Sequence, residues 1–212
     1  MKAWPTDHPK AKLMIRKRAA IVDAARKAFM REGYDGASME AIAADAGVSI
    51  ATLYRHAEGK DDLFAAVIAI ACHPGDRDEQ TRIEASLKRS LADVMTFIGV
   101  MFQERLASDT TVALFRTVMT ETKRFPHLGE MAYRGLVGAH EDALEEFLAT
   151  RTETAGLDPV MRRRLGTAFL GRLAGTETLR VLLGLNPAST EERLERAHAA
   201  TAEFIAALPS AP

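Results

Sequence analysis

The sequence predicts an all-α fold of about nine helices. Apolar residues recur at intervals of three and four along most of the chain, and small polar residues stand where helices would begin. Glycine or proline follows where helices would end. No segment has the pattern of a β-hairpin, and no internal repeat is present. With 212 residues, the chain is long enough for one domain or for two small ones.

The first two helices are predicted between clear start and stop signals. A helix from Arg16 to Glu32 buries one apolar stripe and ends before Gly33. Ser38 can cap a second helix, which ends at Gly47, where a residue that tolerates positive φ lets the chain turn sharply. The expected inward residues are Ile21, Ala25, Ala28 and Phe29 in the first helix and Met39, Ile42, Ala43 and Ala46 in the second.

Two more helices are predicted directly after this turn. Ser49 caps a short third helix from Ile50 to about His56, with Leu53 pointing inward. A fourth helix follows Gly59 and has acidic residues in its first turn, where the helix dipole favours negative charge. The acidic residues are Asp61 and Asp62, and the expected core face is Leu63, Val67 and Ile70.

Three helices are predicted between His73 and Gly156. A long amphipathic fifth helix follows the break at Pro74, a sixth begins at Asp109 and is closed by Pro126, and a seventh continues to Gly156. The expected inward residues are Ile83, Leu87, Leu91, Met95, Ile98 and Phe102 in the fifth helix, Phe115, Val118 and Met119 in the sixth, and Met131, Leu136, Ala139, Ala143 and Phe147 in the seventh.

The last two helices carry capping signals. Asp158 and Pro159 form a cap and first-turn pair for an eighth helix, which an Asn-Pro pair at 186–187 terminates. Ser189 and Glu192 have the spacing of a capping box for a ninth helix. The expected inward residues are Met161, Leu165, Phe169 and Leu173 in the eighth helix and Leu194, Ala197, Phe204 and Ile205 in the ninth.

The net charge of -1 conceals an asymmetry along the chain. Residues 1–60 hold 11 Lys or Arg against 7 Asp or Glu, so the amino-terminal part is basic and the remainder is acidic. A basic end is where nucleic acid would bind. The alternative is that the lysines and arginines of residues 10–18 only solubilise a tail and a helix start.

Composition excludes several classes of protein. No apolar run approaches the roughly 18 residues of a membrane span, and the amino terminus lacks a contiguous apolar signal region. A soluble, cytoplasmic protein that does not bind membranes is therefore expected. The single cysteine, Cys72, excludes an internal disulfide and a zinc site built on several thiolates, so we interpret it as a small helix residue.

Residues 38–56 have the layout of a helix-turn-helix, in which the second helix enters the major groove of DNA. A bare helix-glycine-helix is common in proteins that never bind DNA. The longer run SMEAIAADAGVSIATLYRHAEGKDDLF, at 38–64, resembles helices two to four of the TetR family of bacterial regulators, and AAIVDAARKAFMREGYDGAS before it resembles the first helix. The resemblance implies an operator-binding homodimer that controls transcription.

The expected DNA contacts lie on and around the third helix. Hydroxyls at helix starts cap those helices, and the free backbone N–H groups there suit phosphates, so capping and binding can coexist. Hydroxyl and cationic groups further along the helix can contact phosphate or base edges, although Tyr54 could instead be packed. The resemblance implies that Lys60 contacts phosphate. The complete predicted set is Ser38, Ser49, Ile50, Ala51, Thr52, Tyr54, Arg55, His56 and Lys60.

Three residues depart from the family pattern. The family usually has Lys or Arg where this chain has Ile50, glycine where it has Ala51, and an aromatic residue where it has Ala57. Ile50 cannot donate a hydrogen bond to guanine but can contact a thymine methyl group, so more apolar base recognition is expected. Ala57 leaves space in the small core of this domain.

The carboxyl-terminal part resembles the AefR-like subgroup over LFRTVMTETKRFPHLGEMAYRGL, at 114–136. The simpler interpretation of this run is a helix, a stop and another helix. Resemblance implies an apolar pocket for a small hydrophobic or amphipathic effector, because methionine and aromatic residues adapt to such ligands, although any helical core would show the same stripe. His127 and His140 are possible polar anchors or surface residues. The predicted pocket residues are Phe97, Met101, Phe102, Phe115, Met119, Phe125 and Met131.

Glycines inside the eighth helix predict an interface. Each costs roughly 1 kcal/mol relative to alanine unless close packing compensates. The family resemblance implies that the last two helices pair with their copies in a four-helix arrangement, and close packing within one subunit is the alternative. The predicted interface residues are Gly166, Gly171, Gly175 and Phe204.

Enzymatic functions find little support in the sequence. Glu195 and His198 have the Glu-x-x-His spacing of di-iron bundles, but the required second pair is missing, and His140-Glu141 lacks the second histidine of a zinc motif. No metal or cofactor is expected.

The sequence therefore predicts a DNA-binding domain over 1–72 and an effector and dimerisation domain over 73–212. Together they make a ligand-responsive regulator, usually a repressor, and not an enzyme. A helical metalloenzyme and an architectural DNA binder without a ligand are the alternatives.

Overall fold

The structure is a computed structural model that describes residues 8–72 and 89–209. These residues form helices and no strands, which confirms the all-α prediction. Ile83 and Leu87, predicted to begin the fifth helix, lie outside the described residues. The helices are α1 (Pro9–Gly36), α2 (Met39–Asp45), α3 (Ile50–Tyr54), α4 (Lys60–Cys72), α5 (Leu91–Leu106), α6 (Asp109–Glu121), α7 (Pro126–Tyr133), a π-helical segment (Arg134–Gly138), α8 (Ala139–Thr150), α9 (Pro159–Leu182) and α10 (Thr190–Ala206).

Contacts divide the chain into two compact units. The first comprises residues 1–70 together with 113–132, so most of α6 and all but the last residue of α7 belong with the amino-terminal helices. The second comprises residues 71–112 and 133–212. Each unit therefore consists of two separate stretches of the chain. The predicted functional boundary at residue 72 remains a prediction.

The first unit is built around α1 and an aromatic cluster. Helix α1 starts at Pro9, seven residues before the predicted start, and Gly33 interrupts it with φ 74° and ψ 176°. Beyond this break the Tyr34 ring lies 5.4 Å from that of Phe64, which in turn lies 5.1 Å from that of Phe29. Phe29 and Phe64 are fully buried, so these rings join α1 to α4.

The second unit is built on α5, α9 and α10. Gly99 on α5 allows close packing, because a Cβ atom there would lie 3.1 Å from Ala197 and 3.3 Å from Phe169. Helix α10 starts with the predicted capping box of Ser189 and Glu192, with both hydrogen bonds present. The other predicted cap is also confirmed, since Asp158 Oδ1 accepts from the backbone N–H of Val160 at 2.7 Å.

The predicted seventh helix is interrupted by the π-helical segment. Wider turns there rotate the face of the helix relative to an ideal α-helix, so the buried residues after it are Leu144 and Leu148. Ala143 is exposed and Phe147 is half-buried, so placing Ala143 inward was wrong.

Other inward assignments are also corrected. Ile70 is 45% exposed because the buried stripe of α4 follows Leu63, Phe64, Val67 and Ile68. In α6 the buried side is set by Thr111, Leu114 and Val118, which leaves Met119 exposed. The helix-end residues Met161, Leu194 and Ile205 are exposed as well.

Candidate DNA-binding site

The geometry of the helix-turn-helix follows from its caps. Ser38 Oγ accepts from the backbone N–H of Ala41 at 3.1 Å, which fixes the start of α2. Gly47 has φ 65°, a left-handed conformation that ends the helix and redirects the chain. Ser49 Oγ then accepts from the backbone N–H of Thr52 at 3.2 Å and starts α3. Leu53, fully buried, anchors α3 to the core.

One face of α3 is open to solvent. Ile50 is 38% exposed and Tyr54 is 50% exposed, and Ala51 and Arg55 are exposed beside them. The face therefore offers an apolar group, a phenol and a guanidinium to a ligand. These groups suit the edges of base pairs and the phosphates that flank them.

Thr52 occupies a different place from the predicted one. Its side chain is only 8% exposed, and its hydroxyl lies 2.9 Å from Ser49 Oγ. The Arg55 guanidinium donates to the same hydroxyl at 3.1 Å. In this arrangement Thr52 connects the cap of α3 to Arg55, and its hydroxyl does not lie on the exposed face.

Cations surround the carboxyl end of α3. Arg18 on α1 donates from Nη1 to the backbone carbonyl of His56 at 3.0 Å. Burial is the main cause that lowers the pKa of His56, and the positive charges of Arg18, Arg55 and Lys17 lower it further. The three cations around this imidazole make a region of positive potential, which favours phosphate. Sequence reasoning had left Arg18 and Lys17 undecided between solubility and binding.

Lys60 makes contacts that the sequence did not indicate. Its Nζ donates to the backbone carbonyls of Tyr34 at 2.9 Å and Asp35 at 3.0 Å, and it lies 5.0 Å from the centre of the Tyr34 ring. These carbonyls follow the break at Gly33, so the ammonium group holds the end of α1. The predicted phosphate contact is a separate role for this side chain.

A second set of charges holds the segment after α6 against the same region of the first unit. Tyr34 donates from its hydroxyl to Asp61, and His127 Nε2 lies 3.2 Å from the same carboxylate oxygen. The Phe125 ring lies 5.1 Å from the Tyr34 ring. Since His127 pairs with Asp61, it is engaged within the first unit. The role of Tyr34 at this junction was not anticipated.

The predicted effector-pocket residues are divided between the two units. Phe102 is buried, and Phe97 and Met101 are half-buried in the second unit. In the first unit, Phe125 and the remaining residues Phe115, Met119 and Met131 range from half-buried to 53% exposed at Met119. Within the second unit, a cavity of about 10 Å³ is lined by Phe102, Leu106, Leu136 and His140, among others. Phe102 is the predicted pocket residue that borders it.

The predicted interface residues also separate. Gly166 is buried, and a Cβ atom there would lie 3.3 Å from Leu144, so close packing within the subunit accounts for it. Phe204 is 4% exposed and packs 6.0 Å from the Phe169 ring. Gly171 and Gly175 are exposed, and a Cβ atom at either would meet nothing within 4 Å.

The residues considered for metal chemistry do not converge. Glu195 and His198 are both exposed on α10. Within residues 8–72 and 89–209, no three metal-binding side chains come together. Among those residues no helix is both long and apolar enough to cross a lipid bilayer.

The fold and this site define a helix-turn-helix transcriptional regulator that binds DNA, of the repressor type. Comparison of the sequence with models of known protein families supports the same class over two segments of the chain. Residues 21–67 match the model "Bacterial regulatory proteins, tetR family", and residues 93–208 match "AefR-like transcriptional repressor, C-terminal domain". The chain belongs to the TetR family, in its AefR-like subgroup, and is not an enzyme.

Individual relatives agree with this assignment. The regulator UidR of Escherichia coli K12 is 28% identical over 160 residues, which cover 74% of each chain. SrpR of Pseudomonas putida is 38% identical over 61 residues, or 29% of each chain. Among solved structures, the flavonoid-responsive regulator FrrA has a TM-score of 0.69 at 27% identity, with 92% of this chain and 99% of that chain covered. A putative TetR-family regulator from Mesorhizobium loti, at 24% identity and a TM-score of 0.65, covers 91% of this chain and 96% of that one.

Proposed function

We propose that the protein is a homodimeric cytoplasmic repressor that leaves its operator when a small apolar or amphipathic effector binds. The observation that carries the DNA-binding part is the open face of α3 with Ile50, Tyr54 and Arg55, bordered by the cations around His56. Regulators of this family bind operator DNA as dimers. Two copies of α3 would then read two related half-sites about one helical turn, roughly 34 to 36 Å, apart or a multiple of that distance.

The chemistry of α3 indicates how bases are read. Ile50 and Ala51 offer methyl groups, which suit the methyl group of thymine, and Tyr54 offers one hydroxyl. Ser38 and Ser49 lie at helix starts, where backbone N–H groups suit phosphate. Arg55, His56 and Lys60 would contribute phosphate contacts, which position the protein without reading sequence.

The dimer interface is proposed on the exposed side of α9. Large apolar residues at its carboxyl end are open to solvent, with Leu179 59% exposed and Leu183, which follows the helix, 69% exposed. Gly171 and Gly175 are exposed, and the open space at both leaves room for another helix to approach. Burying such a stripe against its copy stabilises a dimer at about 25 cal/mol per Å² of apolar area. Gly166 and Phe204 are buried within the subunit, so they are not part of this exposed face.

The effector is proposed to enter beside Phe102. The cavity there is near the smallest size that holds one water molecule, so a ligand requires the helices around it to move apart. The His140 ring lies 5.1 Å from the Phe102 ring and supplies the polar group among apolar walls. FrrA, the similar structure described above, is named for its response to flavonoids, which are planar and amphipathic. A ligand of related character is therefore the first class to screen.

The selection of bound sequences from a random DNA pool tests the operator part of the proposal. We expect a partly palindromic consensus, and affinity should fall on the order of a thousandfold between 50 and 200 mM salt if about 6 to 10 phosphates are neutralised. A monomer that binds selected and random duplexes equally would contradict the proposal and favour an architectural binder.

Substitutions on α3 test the assignment of base readers. Ile50→Ala should change the preferred bases, whereas Val160→Ala, a comparable truncation at a residue 76% exposed on α9, should leave the preference unchanged. If both variants select the same consensus sequence, Ile50 does not take part in base recognition.

A ligand screen tests the effector part separately. Planar and flexible apolar compounds that raise the melting temperature are then added to the operator complex. A coupling of about 1 to 3 kcal/mol would weaken operator binding roughly 5- to 150-fold. Compounds that stabilise the protein without changing operator affinity would contradict a coupled effector site.

A further inference from the structure

An open cavity lies inside the first unit, which holds the helix-turn-helix. Its walls come from α1, from α4 and from the loop between α3 and α4, and its volume is about 430 Å³. Binding pockets for small molecules usually measure about 300 to 1,000 Å³, so this space is large enough for a small ligand.

The cavity exists because its walls are built from small residues. Ala57 lines it from the loop after α3, and Ala65, Ala66 and Ala69 line it from α4. Ala57 is only 6% exposed, so the position faces the interior but fills little of it. Ile21 and Leu63 lie behind this wall and are themselves buried. A flat, rigid ring could lie against these methyl groups at small entropic cost.

The polar side of the cavity holds one cation, Arg18, one carboxylate, Asp62, and the imidazole of His56. Arg18 lines the wall, and its hydrogen bond to the His56 carbonyl uses one of five N–H donors while fixing the guanidinium there. Lys17 and Arg55 add positive potential around His56. The opposing carboxylate is Asp62, whose Oδ2 accepts from the backbone N–H of Glu58 at 2.8 Å at the start of α4. One oxygen of Asp62 is thus already hydrogen-bonded, whereas Arg18 keeps further N–H donors that a ligand could use.

We propose that this cavity binds a small aromatic carboxylate, with the ring against the alanine-lined wall and the carboxylate on the Arg18 guanidinium. A guanidinium and a carboxylate match in charge and in geometry, because both are planar and can form paired hydrogen bonds. The ligand class follows from the two sides of one cavity: apolar walls of ring size, and one fixed cation.

Binding here would act directly on α3. Arg18 holds the carbonyl of His56, just beyond the carboxyl end of that helix, so a carboxylate on the other donors of Arg18 binds the same group that positions this end of α3. The ligand would also occupy cationic surface that is proposed to attract phosphate. Operator DNA and the aromatic carboxylate should therefore weaken each other's binding by the same factor.

Titration calorimetry of the full chain with benzoate tests the site. Benzyl alcohol, which lacks the charge, and acetate, which lacks the ring, serve as control probes. Wild-type protein should bind benzoate about tenfold or more tightly than either probe. Arg18→Gln should lower benzoate affinity by about tenfold, and Ala57→Phe, which fills the cavity, should abolish it. The matched variant Ala19→Phe, an exposed position on α1, should bind benzoate as wild type does.

Several outcomes would overturn the site. One is that Ala57→Phe binds benzoate as wild type does. Another is that acetate binds as tightly as benzoate. A third is that wild-type protein shows no benzoate binding at about 10 mM, which is on the order of the dissociation constant of a very weak ligand. If Ala57→Phe fails to fold, as judged by circular dichroism, Ala66→Leu fills the same space from α4. Since Ala57 is not among the proposed DNA contacts, a folded Ala57→Phe protein that still selects an operator shows that any loss of benzoate binding is separate from DNA binding.

Discussion

Replacing Lys60 by methionine separates two roles for one side chain. The ammonium donates to the carbonyls of Tyr34 and Asp35, whereas methionine keeps the stem and loses the charge and the donors. Hydrogen bonds from charged groups contribute about 1.5 to 3 kcal/mol each when well buried, and here the bond to Asp35 is exposed. We therefore expect Lys60→Met to lower the free energy of unfolding by about 2 kcal/mol in total.

Thermal unfolding followed by circular dichroism measures this loss. For a chain of this length, about 2 kcal/mol corresponds to a decrease of about 4 to 8 °C in melting temperature. The control is Lys27→Met, because Lys27 is 60% exposed and pairs across a helix turn with Asp23, at 2.8 Å. Exposed pairs of this kind contribute about 0.3 to 0.5 kcal/mol.

DNA affinity of the same variant tests the second role. If Lys60 also contacts phosphate, Lys60→Met should weaken binding to operator and random duplex by the same factor. An unchanged melting temperature would refute the carbonyl contacts as a stabilising feature. Unchanged affinity for random DNA would refute the phosphate contact, and the two results are independent.

Three further substitutions test the aromatic junction of the first unit. The hydrogen bond from Tyr34 is the main cause that lowers the pKa of Asp61, so this stabilisation is present above the ordinary carboxyl pKa and is lost as pH falls through the lowered value. Asp61→Asn should therefore lower the urea midpoint at pH 7 but change it less at pH 3; an equal loss at both values would contradict the ionic role. Gly33→Ala should cost about 1 to 3 kcal/mol in urea unfolding, since its φ and ψ suit only glycine and the new Cβ would lie 2.8 Å from Glu121 Oε1. Phe64→Ala should cost about 3 to 5 kcal/mol by the same measurement, because the ring is fully buried; a loss below about 1 kcal/mol would show that the cluster repacks.

Local signals were sufficient to predict the helix-turn-helix. A serine cap acts on a backbone N–H three residues away, and a glycine stop depends on its own φ, so Ser38, Gly47 and Ser49 carry their information within one turn of helix. The capping box at Ser189 was predictable for the same reason. Burial of Leu53 followed from spacing alone.

Contacts between distant residues were not predictable from spacing. Lys60 meets carbonyls 25 and 26 residues earlier in the chain, and Arg18 meets one 38 residues later. Both depend on how α1 packs against the rest of the first unit. The π-helical segment likewise shifts the buried face of α8 without a distinctive sequence, which is why Ala143 was placed inward.

The hydrogen-bonded chain from Ser49 through Thr52 to Arg55 has a consequence for changing which operator is recognised. These three residues are hydrogen-bonded to one another, so a substitution at any one of them removes a contact of the others and should lower the stability of α3 by about 1 kcal/mol. Ile50, Ala51 and Tyr54 alternate with them along α3 and are exposed. Libraries restricted to positions 50, 51 and 54 should therefore retain folded members at high frequency and sample new base preferences. When an operator sequence changes during evolution, compensating substitutions should arise first at the same three positions.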